Sequence, residues 1–486
     1  CLDGLTNPCV LTATGQIAID WQRWWLHLLI GMNWIIPALV FVPGIYLLMT
    51  DLGQEIRRGT LNFIRLSPQS SYSILGGKIL GTPALIYLAF ALVLPLHWAA
   101  AIGASAPLGF LISFYGVLGA TGFLLFSAAL LCVLISRSYL SGGGAQLEAS
   151  MAFIFILLVA FGVAPIYIAW NIHTVWYVFP EYLIGRHAGL SQLLWFSLPL
   201  SNPAIAHAFT FLLIGLATTS VWHSLQRCFH NPATTLISKK HGYGLVAWVQ
   251  ITLLGFLAPN YGSASANLNL EKLIFLCSVN VVGFLLLTAA LLPHRQTLLD
   301  WARFRRDTTK TQGTWNRVLV EDLLWGERSP ATLAIAVNLV ITALIWVPWI
   351  LLWPSGTHRP QALVGLLMSL GLILVYGAIA QLMLFMKSKQ RNLWATATIG
   401  LLILSPPLLA AILSNGSMTG SVTGLMLFSP FLWATLDQVS KMTLFLTVLG
   451  QFGVLGWLNF KLTRLLQQAG ASESKQLITG NQALLS

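Results

Sequence analysis

Apolar residues run along this chain in long unbroken blocks, and the short stretches between the blocks hold nearly all of the charge. A helix rises 1.5 Å per residue, so crossing a hydrocarbon layer of about 30 Å takes roughly 20 apolar residues. Blocks of that size fall at about 30–50, 79–101, 108–135, 150–170, 205–225, 243–260, 271–292, 330–353, 362–386, 393–413 and 438–460. The pattern predicts eleven spans and an all-α fold, a polytopic transmembrane helical bundle.

The stretch between the first two blocks has a different period. In "DLGQEIRRGTLNFIRLSPQSSYSILGGKIL", residues 51–80, Asp51, Glu55, Arg58, Asn62 and Arg65 recur at helical spacing. Leu52, Ile56, Gly59, Phe63 and Leu66 line an adjoining face, which predicts an amphipathic helix over 51–66. Ser67 as N-cap and Pro68 at the first helical position would then start a second short helix toward Gly76-Gly77-Lys78. Periodicity alone fits equally a helix lying on the membrane, with its arginines on lipid phosphates.

Composition supports the membrane reading. The chain is 56% hydrophobic and 8% charged, with 19 Trp, whereas soluble domains carry about 25% charged residues. The net charge of +12 is explained by topology rather than by nucleic acid. Most Lys and Arg fall in one alternating set of loops, from Arg57, Arg58, Arg65 and Lys78 to Lys461, Arg464 and Lys475 in the tail. The opposite set holds only Arg23, Arg186, Lys272, Arg359 and Lys441. The richer set is expected to be cytoplasmic, with the N-terminus outside and the C-terminus inside, in an inner (plasma) membrane.

The blocks also suggest a tandem repeat. A loop at 51–78 has a counterpart at 293–329, and each is followed by a pair of spans, a short loop and a further span. Outer segments "FSLPLSNPAIAH" (196–207) and "FSPFLWATLDQ" (428–438) precede the last span of each half. The expected organisation is an outer segment 1–29, a first half 30–225, a linker 226–242, a second half 243–465 and a cytoplasmic tail 466–486. Two six-span halves require one span before residue 1. The chain starts at Cys1 with no basic-then-apolar leader, which agrees with an earlier segment having been removed. Cys1 and Cys9 could form a disulfide if they face an oxidising space, and two free thiols fit equally well.

The wording of 55–78 goes further than its period. Glu55, Gly59-Thr60-Leu61, Ser67-Pro68, Leu75, Gly77 and Lys78 resemble the coupling region of type-2 ATP-binding-cassette (ABC) exporter permeases. "LQRCFHNPATTLISKKHGYG", 225–244, is similar to the linker of fused, cyanobacterial-type members. The resemblance implies that this chain is a transport subunit whose coupling loop docks on a separate ATPase, itself a dimer that holds ATP and Mg. No cofactor would then reside in this chain. The second loop, "VLVEDLLWGERSPATLAIAVN" (318–338), keeps Glu321, Asp322, Glu327, Ser329 and Pro330 but lacks Gly-Thr-Leu. Its coupling role is an expectation of the same kind. The outer segment 171–204 resembles the re-entrant helices of that family, and it reads also as an aromatic interfacial anchor.

Other chemistries find little support. The only Gly-Lys pair, Gly77-Lys78, is followed by Ile79, and a phosphate loop's first glycine would fall at Tyr72. "LSGGGAQ", 140–146, reads as a flexible turn. The histidines show no metal-ligand spacing. An ion-coupled secondary transporter would predict carboxylates or broken helices at mid-membrane. A membrane enzyme acting on lipid-linked substrates would predict clustered acids in an outer loop. With few charges in the spans, an amphipathic or lipid-linked cargo is the expected substrate class.

Overall fold

A computed structural model of the chain describes residues 9–11, 17–137, 145–176, 193–259, 266–312, 317–353, 358–388, 390–413, 424–434, 436 and 439–469. The chain divides into two compact units, Cys1–Pro232 and Ala233–Ser486. Among the described residues, ten helices are long and apolar enough to cross a membrane, five in each unit. This is an integral membrane protein built as a helical bundle.

The first unit is organised around α1 (Trp21–Arg58), capped by the Asp20 side chain, which accepts from the Arg23 backbone N–H at 3.1 Å. Its 38 residues extend for roughly 57 Å, nearly twice a bilayer's apolar thickness. The charged turn Asp51–Arg58 is therefore a rigid continuation of a span. This corrects the separate amphipathic helix expected over 51–66. The helix stops at Gly59, whose φ of +76° is left-handed, a conformation that glycine adopts without a Cβ penalty. Two short helices follow, α2 (Thr60–Arg65) and α3 (Ser71–Gly81). The N-cap of α3 is Ser70, accepting from the Ser73 N–H at 3.2 Å, and not Ser67. Ser67 N–H instead donates to Ile64 O at 3.1 Å and closes the last turn of α2, so Ser67 and Pro68 belong to the intervening turn.

The bundle continues through α4 (Ala84–Gly103) and α5 (Leu108–Ile135). A fourth long helix comprises α6 (Ala145–Leu158), a π-helical turn at Val159–Val163 and α7 (Ala164–Thr174). Pro165 explains the wide turn, because it lacks an N–H and crowds the carbonyl four residues earlier. The last helix of the unit is α8 (Pro203–His230), capped by Asn202 at 2.9 Å from the Ala204 N–H. Helix α1 packs against α4, α5 and α6, and α5 packs against α8. Leu29, Ile36, Ile45, Leu48 and Leu52 of α1 meet Phe110, Phe114, Ala129 and Leu130 of α5 in one core.

Two small antiparallel ladders depart from the all-helical expectation. Strands β1 (Cys9–Leu11) and β2 (Ile17–Ile19) pair with Cys9 opposite Ile19. Strands β3 (Leu194–Trp195) and β4 (Leu198–Pro199) form a tight hairpin with Phe196 at φ +50°. Of 171–204, residues 171–174 close α7 and the ladder at 194–199 leads into α8; the remainder of the expected re-entrant segment, 177–192, lies outside the described residues. Cys1 and the side chain of Cys9 also lie outside them.

The second unit opens with α9 (Lys239–Leu257) and α10 (Ala266–Leu291). Helix α9 occupies the expected span 243–260, but Lys239, Lys240, His241 and Gln250 make it more polar than the ten others. The loop 293–329 folds into α11 (Arg295–Gln312) and α12 (Arg317–Trp325). Then come α13 (Thr332–Leu351), α14 (Arg359–Met383), α15 (Arg391–Leu413) and α16 (Lys441–Ala469). Helix α14 is central, packed against α10, α13, α15 and α16. Trp346, Trp349, Trp353, Leu366 and Leu372 lie in its core.

Candidate functional site

In the first unit, the residues singled out between 55 and 78 come together at the charged end of α1. Lys78, on α3, places Nζ 2.8 Å from Asp51 Oδ2 and 2.7 Å from Glu55 Oε1. One ammonium thus joins two carboxylates on successive turns of α1. Thr82 Oγ1 donates to the same Asp51 oxygen at 3.3 Å. Burial alone would lower the Lys78 pKa, but hydrogen bonds and attraction from Asp51 and Glu55 outweigh it and raise it above the usual lysine value.

Around this clamp the other predicted residues take distinct places. Gly59 makes the left-handed turn, and its N–H donates to Ile56 O at 3.2 Å. Thr60 Oγ1 donates to Glu55 O at 3.3 Å across that turn. Leu61 is buried in the core. Ser67, Pro68, Gly77 and Lys78 line a groove of about 790 Å³, together with Phe63 and Ile74. The groove is open, with Phe63 80% exposed, and Leu66, which caps α2 beside it, is 85% exposed. Such side chains on a short helix beside a span await a partner or a lipid surface. The groove walls are held from behind: Tyr72 of α3 stacks on Trp222 of α8 at 5.5 Å, and Arg65 lies 5.3 Å over the Phe229 ring.

A second pair steadies α1 in the same region. Arg57 Nη1 lies 2.7 Å from Glu148 Oε1, and the Glu148 side chain, at the start of α6, is 3% exposed. Sequence reasoning passed over Glu148. A carboxylate at the head of an apolar block was the available signal, because it must find a cation.

The second unit assembles a different arrangement from its own loop. Lys239, only 2% exposed, donates to Leu323 O and Ser329 Oγ at 2.7 Å each, and to Pro330 O at 3.1 Å. Ser329 Oγ in turn donates toward Asp322 O at 2.7 Å and Gly326 O at 2.9 Å. Asp322 accepts from Trp301 Nε1 at 2.5 Å, and Tyr243 OH donates to Leu324 O at 2.7 Å. Gly326 is required here, since a Cβ would fall 2.5 Å from the Asp322 carbonyl oxygen. Burial pulls the Lys239 pKa down to about 8, against the opposing attraction of Asp322 and Glu327. Of the predicted residues, Glu321 is exposed, whereas Asp322 and Glu327 are half-buried. The internal bonding of Asp322 distinguishes it from Glu321, which the sequence did not do.

Within the spans of the first unit, polar side chains also meet, most deeply around His97. His97, fully buried, sits 2.7 Å from Tyr115 OH through Nδ1 and 3.2 Å from Asn33 Oδ1 through Nε2. No group of three metal-ligating side chains occurs among the described residues. No family model, no curated protein and no solved structure matches the chain.

Proposed function

We propose that the chain is the membrane subunit of an ATP-driven ABC exporter whose ATPase is a separate polypeptide. In this reading the segment 51–78 docks on the ATPase and conveys its nucleotide-driven movement to the spans. The observation that supports it most is the groove lined by Phe63, Ser67, Pro68, Gly77 and Lys78. It is open, and it is joined through Lys78 to a helix that continues unbroken into a span. A push on such a groove would move α1 as a lever, because a continuous helix transmits displacement along its whole length. The positive loops would lie in the cytoplasm with the C-terminus. Six spans per half would count α9 as the sixth of the second unit, and would require one further helix in the first unit beyond its five among the described residues. The cargo would be amphipathic or lipid-linked.

The test is co-expression of the chain with an ABC ATPase subunit. Joint purification that is lost when Phe63 and Leu66 are both changed to Ser supports docking. Joint purification unaffected by those changes removes the groove from the interface.

A second reading, an ion-coupled transporter, is favoured by the buried His97–Tyr115–Asn33 set and by the π-helical turn inside a span. Broken helices and buried ionisable groups serve ion coupling elsewhere. Transport that continues without ATP and stops when the proton gradient is dissipated would select this reading.

A further inference from the structure

Arginines gather at the end of the first unit where its apolar helices stop. Helix α5 carries no charge from Leu108 to Ile135, and Arg137 follows within two residues. Arg227 lies in the last turn of α8, and Arg65 in the last turn of α2. The Arg65 guanidinium reaches α8, where it donates to Cys228 O at 3.4 Å and lies over the Phe229 ring. A second nitrogen donates to Asn62 Oδ1, also at 3.4 Å. Both bonds are long, and the remaining nitrogen, Nε, is buried without an acceptor. Burial, and then the nearby charge of Arg137, lower the Arg65 pKa. Arg227 adjoins Cys228 in the chain, and it and Arg65 both act electrostatically on that thiol.

A guanidinium that is crowded by a like charge and has a donor unmet is completed by an anion. The carboxylates at this end are engaged elsewhere: Asp51 and Glu55 hold Lys78, and Glu148 holds Arg57. The flank of the cluster favours one source of anion. On its membrane side, Tyr72 and Phe123 stack on opposite neighbours of one ring system, Trp222, at 5.5 and 5.6 Å, and both are exposed. Trp222 precedes Arg227 by five residues, about 7.5 Å along α8. Ile135, also exposed, carries the apolar edge along α5 toward Arg137. A soluble phosphate gains nothing from such an edge, whereas a phospholipid contacts both the arginines and the rings.

We infer that Arg65, Arg137 and Arg227 form a site for the phosphate of an anionic phospholipid, with its acyl chains along Tyr72, Trp222 and Phe123. Basic pockets between spans take such headgroups at the cytoplasmic leaflet, the side to which the charge bias assigns this end. Nε of Arg65 and an adjacent Nη offer the planar fork that two phosphate oxygens accept from. The lipid would tie α2 to α5 and α8. That matters for a six-residue helix with Leu61 as its buried residue. The site stands apart from the exporter reading and does not depend on it.

Hydrogen exchange of the full chain in nanodiscs tests the site, each variant being compared with itself in two lipids. In the wild type, adding phosphatidylglycerol to phosphatidylcholine discs should slow exchange at 60–66 by about tenfold, as expected at a lipid level about ten times the dissociation constant. Arg65→Lys keeps the charge and loses the fork; a tenfold weaker site leaves a slowing of about twofold. Arg227→Gln, on a different helix, should fall to a similar value and serves if Arg65→Lys disturbs α2. Arg58→Gln removes an exposed charge outside the cluster and should keep most of the slowing, because salt screens it. No slowing in the wild type, or full slowing in both Arg65→Lys and Arg227→Gln, overturns the site. Loss of slowing in Arg58→Gln equal to that in Arg65→Lys reduces the effect to diffuse surface charge and also overturns it. Inorganic phosphate added to phosphatidylcholine discs should leave exchange unchanged; slowing equal to that by phosphatidylglycerol assigns the arginines to a soluble anion and overturns the lipid.

Discussion

Replacing Lys78 with Met removes the clamp and nothing else of similar size, because Met matches the length of the lysine stem. The side chain of Lys78 is 13% exposed and that of Glu55 is 22% exposed, so their charge-assisted bond counts at about 2 kcal/mol. The Asp51 side chain is 42% exposed, and solvent screening limits its share to below about 1 kcal/mol. Removing the cation also leaves Asp51 and Glu55 repelling one another at i, i+4 on α1, worth about 0.3 kcal/mol. The sum is about 3 kcal/mol, or a roughly hundredfold larger population of the detached α3. Native-state hydrogen exchange at the amides of 74–81 measures that population, with the amides of α4 as an unchanged internal reference. The raised Lys78 pKa fixes the sign with pH. The clamp contributes in full below the ordinary lysine value and is lost as pH rises through the higher folded value. Glu55→Lys should loosen α3 as strongly, by setting two ammonium groups together. The exchanged pair Glu55→Lys with Lys78→Glu should recover most of the loss. Less than a threefold change in Lys78→Met, or a swapped pair no better than either single variant, would refute the clamp.

Other outcomes follow from the same geometry. At Gly59 a Cβ would meet no atom within 4 Å, so the cost of a side chain is backbone strain alone: Gly59→Val should loosen α2 by about 2 kcal/mol and Gly59→Asn by less than 1, as read by exchange at 60–66. Cysteine at Ser388 should be shielded from a membrane-impermeant thiol reagent in intact cells, and cysteine at Thr357 should be labelled; the reverse would invert the sidedness. The chain purified alone should hydrolyse no ATP, and hydrolysis that survives stringent purification and depends on this chain would replace the transport-subunit reading with an enzyme.

The spans were legible because length and apolarity alone decide them. A block of 20 residues such as 84–103 can satisfy its backbone in hydrocarbon only as a helix. The extent of α1 was less legible: charge at Asp51 and Glu55 suggested a new element, while the backbone simply continues to the left-handed Gly59. Ser67-Pro68 suggested the start of the next helix, but the Ser67 N–H closes the preceding turn on Ile64 O and Ser70 takes the cap instead. Glu55 and Lys78 were both visible as candidates, but not as partners, since they sit on different helices 23 residues apart. Lys239 was hidden for the opposite reason. Two adjacent lysines cannot be told apart in sequence, and only the tertiary position of Leu323, Ser329 and Pro330 separates the buried one from its neighbour. The short ladders at 9–19 and 194–199 carry too few residues for a period of two to show.

The central claim is that the segment 51–78 meets a separate ATPase subunit. A photo-activatable cross-linker at Gln69, exposed in the turn between α2 and α3 and lining the groove, puts it to the most direct test. In membranes of cells producing the chain with an ABC ATPase subunit, irradiation should join the two polypeptides through position 69 and not through position 358, which the charge bias assigns to the opposite side. Cross-linking of that ATPase through 358, or cross-links from 69 to lipid alone while the two proteins still purify together, would contradict the account.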